Sequence, residues 1–198
     1  MSIQATTVQE FHAQVGGAGP LPAGVSISAV GAGLALALLA KVLDITGKRK
    51  DFAGDRARIA GLLQQSREES ARLMALADDD VRAFNQYLEC TRSGGDKQAA
   101  MSQAIEVPMQ GARSALRGLG LCAEAVEMVR GLTSADLAMS AALLRGAARA
   151  MLVSVDFNLQ LLTSNREFAE TILAERHELE LQAVRFDDIV TAAIRALL

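Results

Sequence analysis

GVSISAVGAGLALALLAKVLDITGKRK, residues 24–50, holds no charged side chain between Gly24 and Lys41, and only Lys41 and Asp44 before its basic end. Alanine and leucine dominate it, and both are among the strongest helix formers. The stretch predicts a helix from about Ser26 to Ile45, apolar on nearly all sides and therefore central to whatever fold contains it. Its length approaches that of a membrane span. Gly31, Gly33, Ser26 and Ser28 instead mark a helix that neighbouring helices approach closely, so a buried helix in a soluble bundle is the expectation. The prolines at 20 and 22 and Gly24 set the chain's approach, and Ser26 is placed to cap the helix start. Lys48, Arg49 and Lys50 follow its far end, where cations offset the helix dipole.

Working outward, residues 5–15 read as a short helix capped by Thr7, with Val8, Phe11 and Val15 on one face. Gly16 to Pro20 is a loop. A third helix spans about Phe52 to Thr91, with Ile59, Leu62, Leu73, Leu76, Val81, Phe84 and Leu88 at helical spacing. Its other face carries Arg56, Arg58, Arg67, Glu68 and Glu69 and reads as solvated. A fourth helix runs from Lys97 to about Arg130. Pro108 lies inside it and must cost it a hydrogen bond and bend it. A fifth spans Ser134 to Leu162, and a sixth starts at Ser164, with Glu167 completing a capping box. The fold class is therefore all-α, an up-and-down bundle of five to six long helices. Residues 1–163 form the bundle and residues 164–198 a C-terminal helix packed on the same domain. Two helices apolar on most sides need extra cover, and a homodimer supplies it.

The composition fits. Half of the 198 residues are hydrophobic (51%), tryptophan is absent, and only three prolines occur. A net charge of −3 with acids and bases intermixed argues against a nucleic-acid footprint. Cys90 and Cys122 form no CxxC pair and read as reduced, inert thiols in a cytoplasmic chain. No secretory leader pattern opens the sequence. His12 and His177 have no ligand-spaced partners, so no metal site is expected.

Three polar placements remain as candidates for chemistry. The loop at Pro22, Gly24 and Ser26 offers backbone N–H groups at a helix start, which attract anions. Asp44, Thr46, Lys48 and Lys50 gather at the other end of that helix. The third set is Asp78-Asp79-Asp80 with Phe84 and Asn85, joined by Asp136 in a helix first turn and by Asn158, which interrupts an apolar stretch and needs hydrogen-bond partners if buried.

Together these positions resemble the cyclodeaminase/cyclohydrolase family, which includes the C-terminal domain of formiminotransferase-cyclodeaminase. Pro22-Ala23-Gly24-Val25-Ser26 stands where the family has Pro-Gly-Gly-Gly-Ser. Asp44-Ile45-Thr46-Gly47-Lys48-Arg49-Lys50 stands for Asn-Leu-Thr-x-Gly-Lys-Lys-Lys. Asp80 to Asn85 is similar to Asp-x-x-Ala-Phe-Asn, Val107-Pro108 to a Val-Pro pair, Ala135-Asp136 to a Ser-Asp pair, and Ser154 to Asn158 to Asn-Val-x-x-Asn. The resemblance implies a dimeric bundle with a folate site at or near the subunit interface, and a tetrahydrofolate derivative as substrate with no cofactor. It implies methenyltetrahydrofolate cyclohydrolase activity first and formimidoyltetrahydrofolate cyclodeaminase activity as the alternative. A non-catalytic folate- or pterin-binding or scaffold protein is the further alternative, because Ala23, Val25, Asp44 and Ser154 depart from the family pattern. Asp80, Asp136 or Asp44 would move the proton. Lys48 and Lys50 would face the glutamate carboxylates. Pro22, Gly24, Ser26, Thr46, Asn85 and Asn158 would line the substrate.

Overall fold

The computed structural model describes residues 2–197 and is all-α. A 3₁₀ turn at Ile3–Ala5 precedes α1 (Val8–Val15), α2 (Gly24–Lys48), α3 (Arg56–Ser93), α4 (Lys97–Ala125), α5 (Thr133–Leu161) and α6 (Arg166–Arg195). Helices α2 to α5 run alternately up and down. α2 lies between α3 and α5, and α4 closes the bundle behind it. Ala32, Ala35, Leu36, Leu39, Val42 and Leu43 of α2 are buried against Leu73, Met109, Leu119, Leu144 and Met151 of its neighbours.

Four of the six helix starts are built from side-chain caps. Thr7 and Glu10 form a reciprocal capping box at α1. Asp55 accepts from Ala57 and Arg58 N–H at α3, and Asp96 accepts from Gln98 and Ala99 N–H at α4. α6 corrects the expected Ser164–Glu167 box. Its cap is Asn165, in the left-handed region at φ 63°, accepting from Phe168 N–H. A short polar side chain tolerates that conformation better than most.

α2 departs from expectation at both ends. It begins at Gly24, with Ala23 in the cap position, so Ser26 lies inside the first turn and is not its cap. At the other end the helix continues to Lys48, which puts Thr46 and Lys48 in its last turn. The guanidinium of Arg56 closes that end. It donates to Gly47 O, to Arg49 O (2.9 Å) and to Phe52 O (3.4 Å), and stacks 5.6 Å above the Phe52 ring. Arg56→Ala is expected to lower stability by about 1 kcal/mol in a urea melt. Arg56→Lys should recover little of it, because an ammonium lacks the planar fork.

Glu69 corrects the reading of the α3 outer face. It is buried, accepting from Ser114 Oγ and from Arg117 Nε (2.8 Å) and Nη2 (2.9 Å). α6 buries only Ile172, Leu179 and Val190. It is fastened by paired charges: Glu175 to Arg113 with both contacts at 2.6 Å, Arg176 to Asp156 at 2.6 and 2.8 Å, and Asp187 to Arg145.

Among the described residues, large apolar side chains stay exposed on α6, at Leu173, Leu181, Val184 and Ile189, and on a surface seam shared by α2 and α5. α2 exposes Ile27, Leu34 and Ile45, and the adjacent α5 exposes Met139, Leu143, Val153, Phe157 and Leu161. The spacings, seven and eleven residues along α2 and four, ten, four and four along α5, keep each set on one face of its helix. Both helices are long and apolar enough to cross a membrane, and about half of each apolar window is buried within the bundle.

Candidate functional site

A cavity of about 560 Å³ opens where the start of α2, the end of α3, the start of α4 and the end of α5 meet. Its walls include Leu21, Gly24, Val25, Asp80, Phe84, Tyr87, Ser154 and Asn158. Asp80 is its acid. Oδ2 accepts from the Ser26 backbone N–H (3.1 Å) and from Ser26 Oγ (2.7 Å), while Oδ1 has no protein partner among the described residues. A first-turn N–H of α2 is thus satisfied by a carboxylate from α3, which is why the helix needs no cap of its own. Burial raises the Asp80 pKa above the ordinary aspartate value, and the two Ser26 hydrogen bonds oppose it only in part.

Asn158 is fixed by an exchange with Pro108. A proline has no N–H to give the carbonyl four residues earlier, here Ala104. Asn158 Nδ2 donates to that carbonyl at 2.8 Å. α4 therefore continues through Pro108, and the Asn158 amide is held in one orientation with its own oxygen left over at the cavity. Asp78 serves elsewhere: it accepts from Ile3 N–H (2.6 Å) and Ser2 Oγ (2.5 Å) and ties down the N-terminal segment.

The remaining candidates divide. Gly24, Asp80 and Asn158 line the cavity, and Ser26 reaches it through Asp80. Pro22 sits beside the mouth but is not among the lining residues, and Asn85 is exposed and turned away from it. Asp44, Thr46, Lys48 and Lys50 lie at the opposite end of α2, about 27 Å from Ser26 to Asp44 at 1.5 Å per residue. Lys48 Nζ contacts Asp44 Oδ2 at 2.7 Å. Thr46 Oγ1 is buried without a hydrogen-bond partner. Asp136, half-buried in the first turn of α5, belongs to this same end, which Arg49 Nη1 ties to Arg130 O (3.3 Å). The two sets cannot touch one small ligand within one chain. Among the described residues no cluster of histidine, cysteine and carboxylate side chains has the makings of a metal site. Cys122 is buried, with its thiol pushed up to about 12, so it stays protonated.

Residues 7–178 match the family model described as formiminotransferase-cyclodeaminase. The chain belongs to that family. Its match covers α1 to α5 and the first part of α6, and so includes both candidate ends. The fold agrees with the crystal structure of formiminotetrahydrofolate cyclodeaminase from Thermotoga maritima, at TM-score 0.94 and 23% identity over 98% of each chain. A search among curated proteins gives no match. Membership in the formiminotransferase-cyclodeaminase family ties the chain to one-carbon folate metabolism, with a folate as its class of small-molecule substrate. The sequence reading missed Tyr87 in this family member's cavity. Its signal was available, because Asp80, Phe84 and Tyr87 are spaced i, i+4, i+7 on one face of α3.

Proposed function

We propose that the protein is a folate C–N bond enzyme in which Asp80 shuttles one proton, and that its reaction is cyclodeamination of formiminotetrahydrofolate. The observation that carries this reading is Asp80 itself: one oxygen clamped by Ser26, the other without a protein partner, in a cavity wall that raises its pKa. Ring closure forms a bond between N10 and the formimino carbon, and ammonia leaves from that carbon. With the formimino group protonated, the balance needs one proton moved from N10 to the departing nitrogen. A carboxylate of raised pKa takes the first and gives to the second. Its charge also favours the cationic methenyl product. The family's description and the activity for which the Thermotoga protein is named both support this reading.

Cyclohydrolysis is the second reading, and it uses the same shuttle. Water adds to the methenyl carbon and Asp80 takes one of its protons; as the C–N5 bond breaks N5 receives that proton, and the remaining hydroxyl proton leaves to solvent as the formyl carbonyl forms. Folate is substrate in both, and no cofactor is needed.

The site is completed by a second copy of the chain. A two-fold axis across the helices lays α2 antiparallel on the partner's α2, and α5 on the partner's α5. With the axis between Leu34 and Leu38, Ile27 faces the partner's Ile45. The exposed seam is then covered, and the Asp44–Lys50 end of one chain meets the Asp80 end of the other. An axis along the helices covers the same seam but leaves the two polar sets apart. This assembly also accounts for two apolar helices without a membrane and fits a cytoplasmic protein. No nucleic acid enters the reading.

The test follows absorbance of the methenyl form with purified protein. Formation from 5-formiminotetrahydrofolate above the spontaneous rate is expected. Acceleration of methenyl loss alone points to cyclohydrolysis. Folate binding without either reaction contradicts the catalytic reading and leaves a binding protein.

A further inference from the structure

We propose that the cleft between α4, α5 and α6 is a second ligand site, and that it takes an amphipathic monocarboxylate, with an apolar chain among the helices and the carboxylate on Arg149.

A cavity of about 260 Å³ lies there, away from the candidate residues at either end of α2. Its space has a cause in the sequence. Ala112, Ala148 and Ala183 face it, one from each helix, where side chains of ordinary core size would close the gap at a three-helix junction. Leu116, Leu152 and Leu179 complete the apolar lining. The polar lining groups are Arg145, Arg149, Arg176 and Glu180, and all four reach solvent. An apolar body with a few placed polar groups is the usual make-up of a small-molecule site.

The charges select the ligand. Arg176 is engaged by Asp156 and by Glu180 (2.8 Å). Arg145 gives Nη1 to Asp187 and keeps Nε and Nη2 uncommitted. Arg149, four residues on along the same face of α5, is exposed and has no ion-pair or hydrogen-bond partner among the described residues. The cleft therefore sets one uncompensated positive charge beside an apolar floor. An organic cation is repelled there, a dianion is only half neutralised, and an uncharged chain gains nothing from Arg149. A monocarboxylate fits, because a guanidinium receives it through two parallel N–H bonds and Arg145 has donors left to add another.

Val153 lines both this cleft and the 560 Å³ cavity, so the two places share a wall. Occupancy of the cleft does not depend on the folate chemistry, and Phe84, which lines only the larger cavity, tells the two apart.

The test is calorimetry on the full chain at low salt, with octanoate as the probe. One octanoate per chain is expected, with octan-1-ol and octylamine binding at least about tenfold more weakly. Arg149→Gln should weaken octanoate about tenfold. Ala183→Leu, which fills the cleft from α6, should weaken it by at least about the same factor, whereas Phe84→Ala should leave it within about twofold. Arg149 is exposed and Ala183 half-buried, so both variants should keep the helical fold by circular dichroism. If Ala183→Leu loosens α6, Arg149→Gln decides alone. A wild-type chain that binds no octanoate at millimolar concentration overturns the site. So does equal affinity for octan-1-ol, unchanged affinity in Arg149→Gln, or a loss that follows Phe84→Ala.

Discussion

Asp80→Asn is expected to lower turnover by about 10²–10⁴-fold, the usual share of a positioned acid–base group, while the bundle stays folded. The asparagine oxygen can still accept from the Ser26 N–H, so the start of α2 keeps its partner. What disappears is the ability to take a proton and return it. Stability should move the other way. The folded-state pKa of Asp80 lies above that of the unfolded chain. Its contribution therefore favours folding at pH below the unfolded value and is lost as pH rises through the folded value. At neutral pH the ionised group works against folding, and Asp80→Asn should leave the melting temperature unchanged or raise it. Such a trade between activity and stability is common where a charge is held in an apolar wall. The wild-type profile of kcat/KM should show an acid limb above the ordinary aspartate range, because the shuttle starts from the carboxylate. A limb at the ordinary value, or an active Asp80→Asn protein, would remove Asp80 from the chemistry.

Charges introduced on the open seam should have an effect of similar size. Leu34 and Phe157 are 62% and 66% exposed on adjacent helices, and neither supports the core of its own chain. Leu34→Arg and Phe157→Asp each bury an unpaired charge if a second copy covers the seam, at a cost of several kcal/mol. Light scattering should report a monomer, and turnover should fall by more than about a hundredfold because half of each site has left. Val8→Asp is the control, since Val8 is exposed on α1, away from the seam. It should change neither mass nor rate. An active monomer of Leu34→Arg would show that one chain carries a complete site.

The sequence carries the helices well because its apolar residues recur at helical spacing and few prolines interrupt them. Helix starts are legible only where the cap is local. Thr7 with Glu10 could be read, but the α2 start is satisfied by Asp80 from across the bundle, and no short-range pattern encodes that. Pro108 and Asn158 each posed a problem alone, a missing donor and an unexplained polar side chain. Only their spatial pairing through Ala104 O shows that each answers the other. Glu69 reads as solvated because its partners, Ser114 and Arg117, lie more than forty residues away. The family motifs placed both polar ends on one list of site residues, and the geometry divides that list along α2.

That division makes a complementation experiment the most direct test. Asp80→Asn protein, defective at one end, is mixed with Asp136→Asn protein, which a shared site predicts to be defective at the other end, and the subunits are allowed to exchange. If each site joins the Asp80 end of one chain to the Asp136 end of its partner, a mixed dimer contains one intact site. Two inactive proteins should then recover about a quarter of wild-type turnover, since half of the dimers are mixed and each carries one working site of two. Mixtures that exchange subunits and remain as inactive as their parents would contradict a shared site.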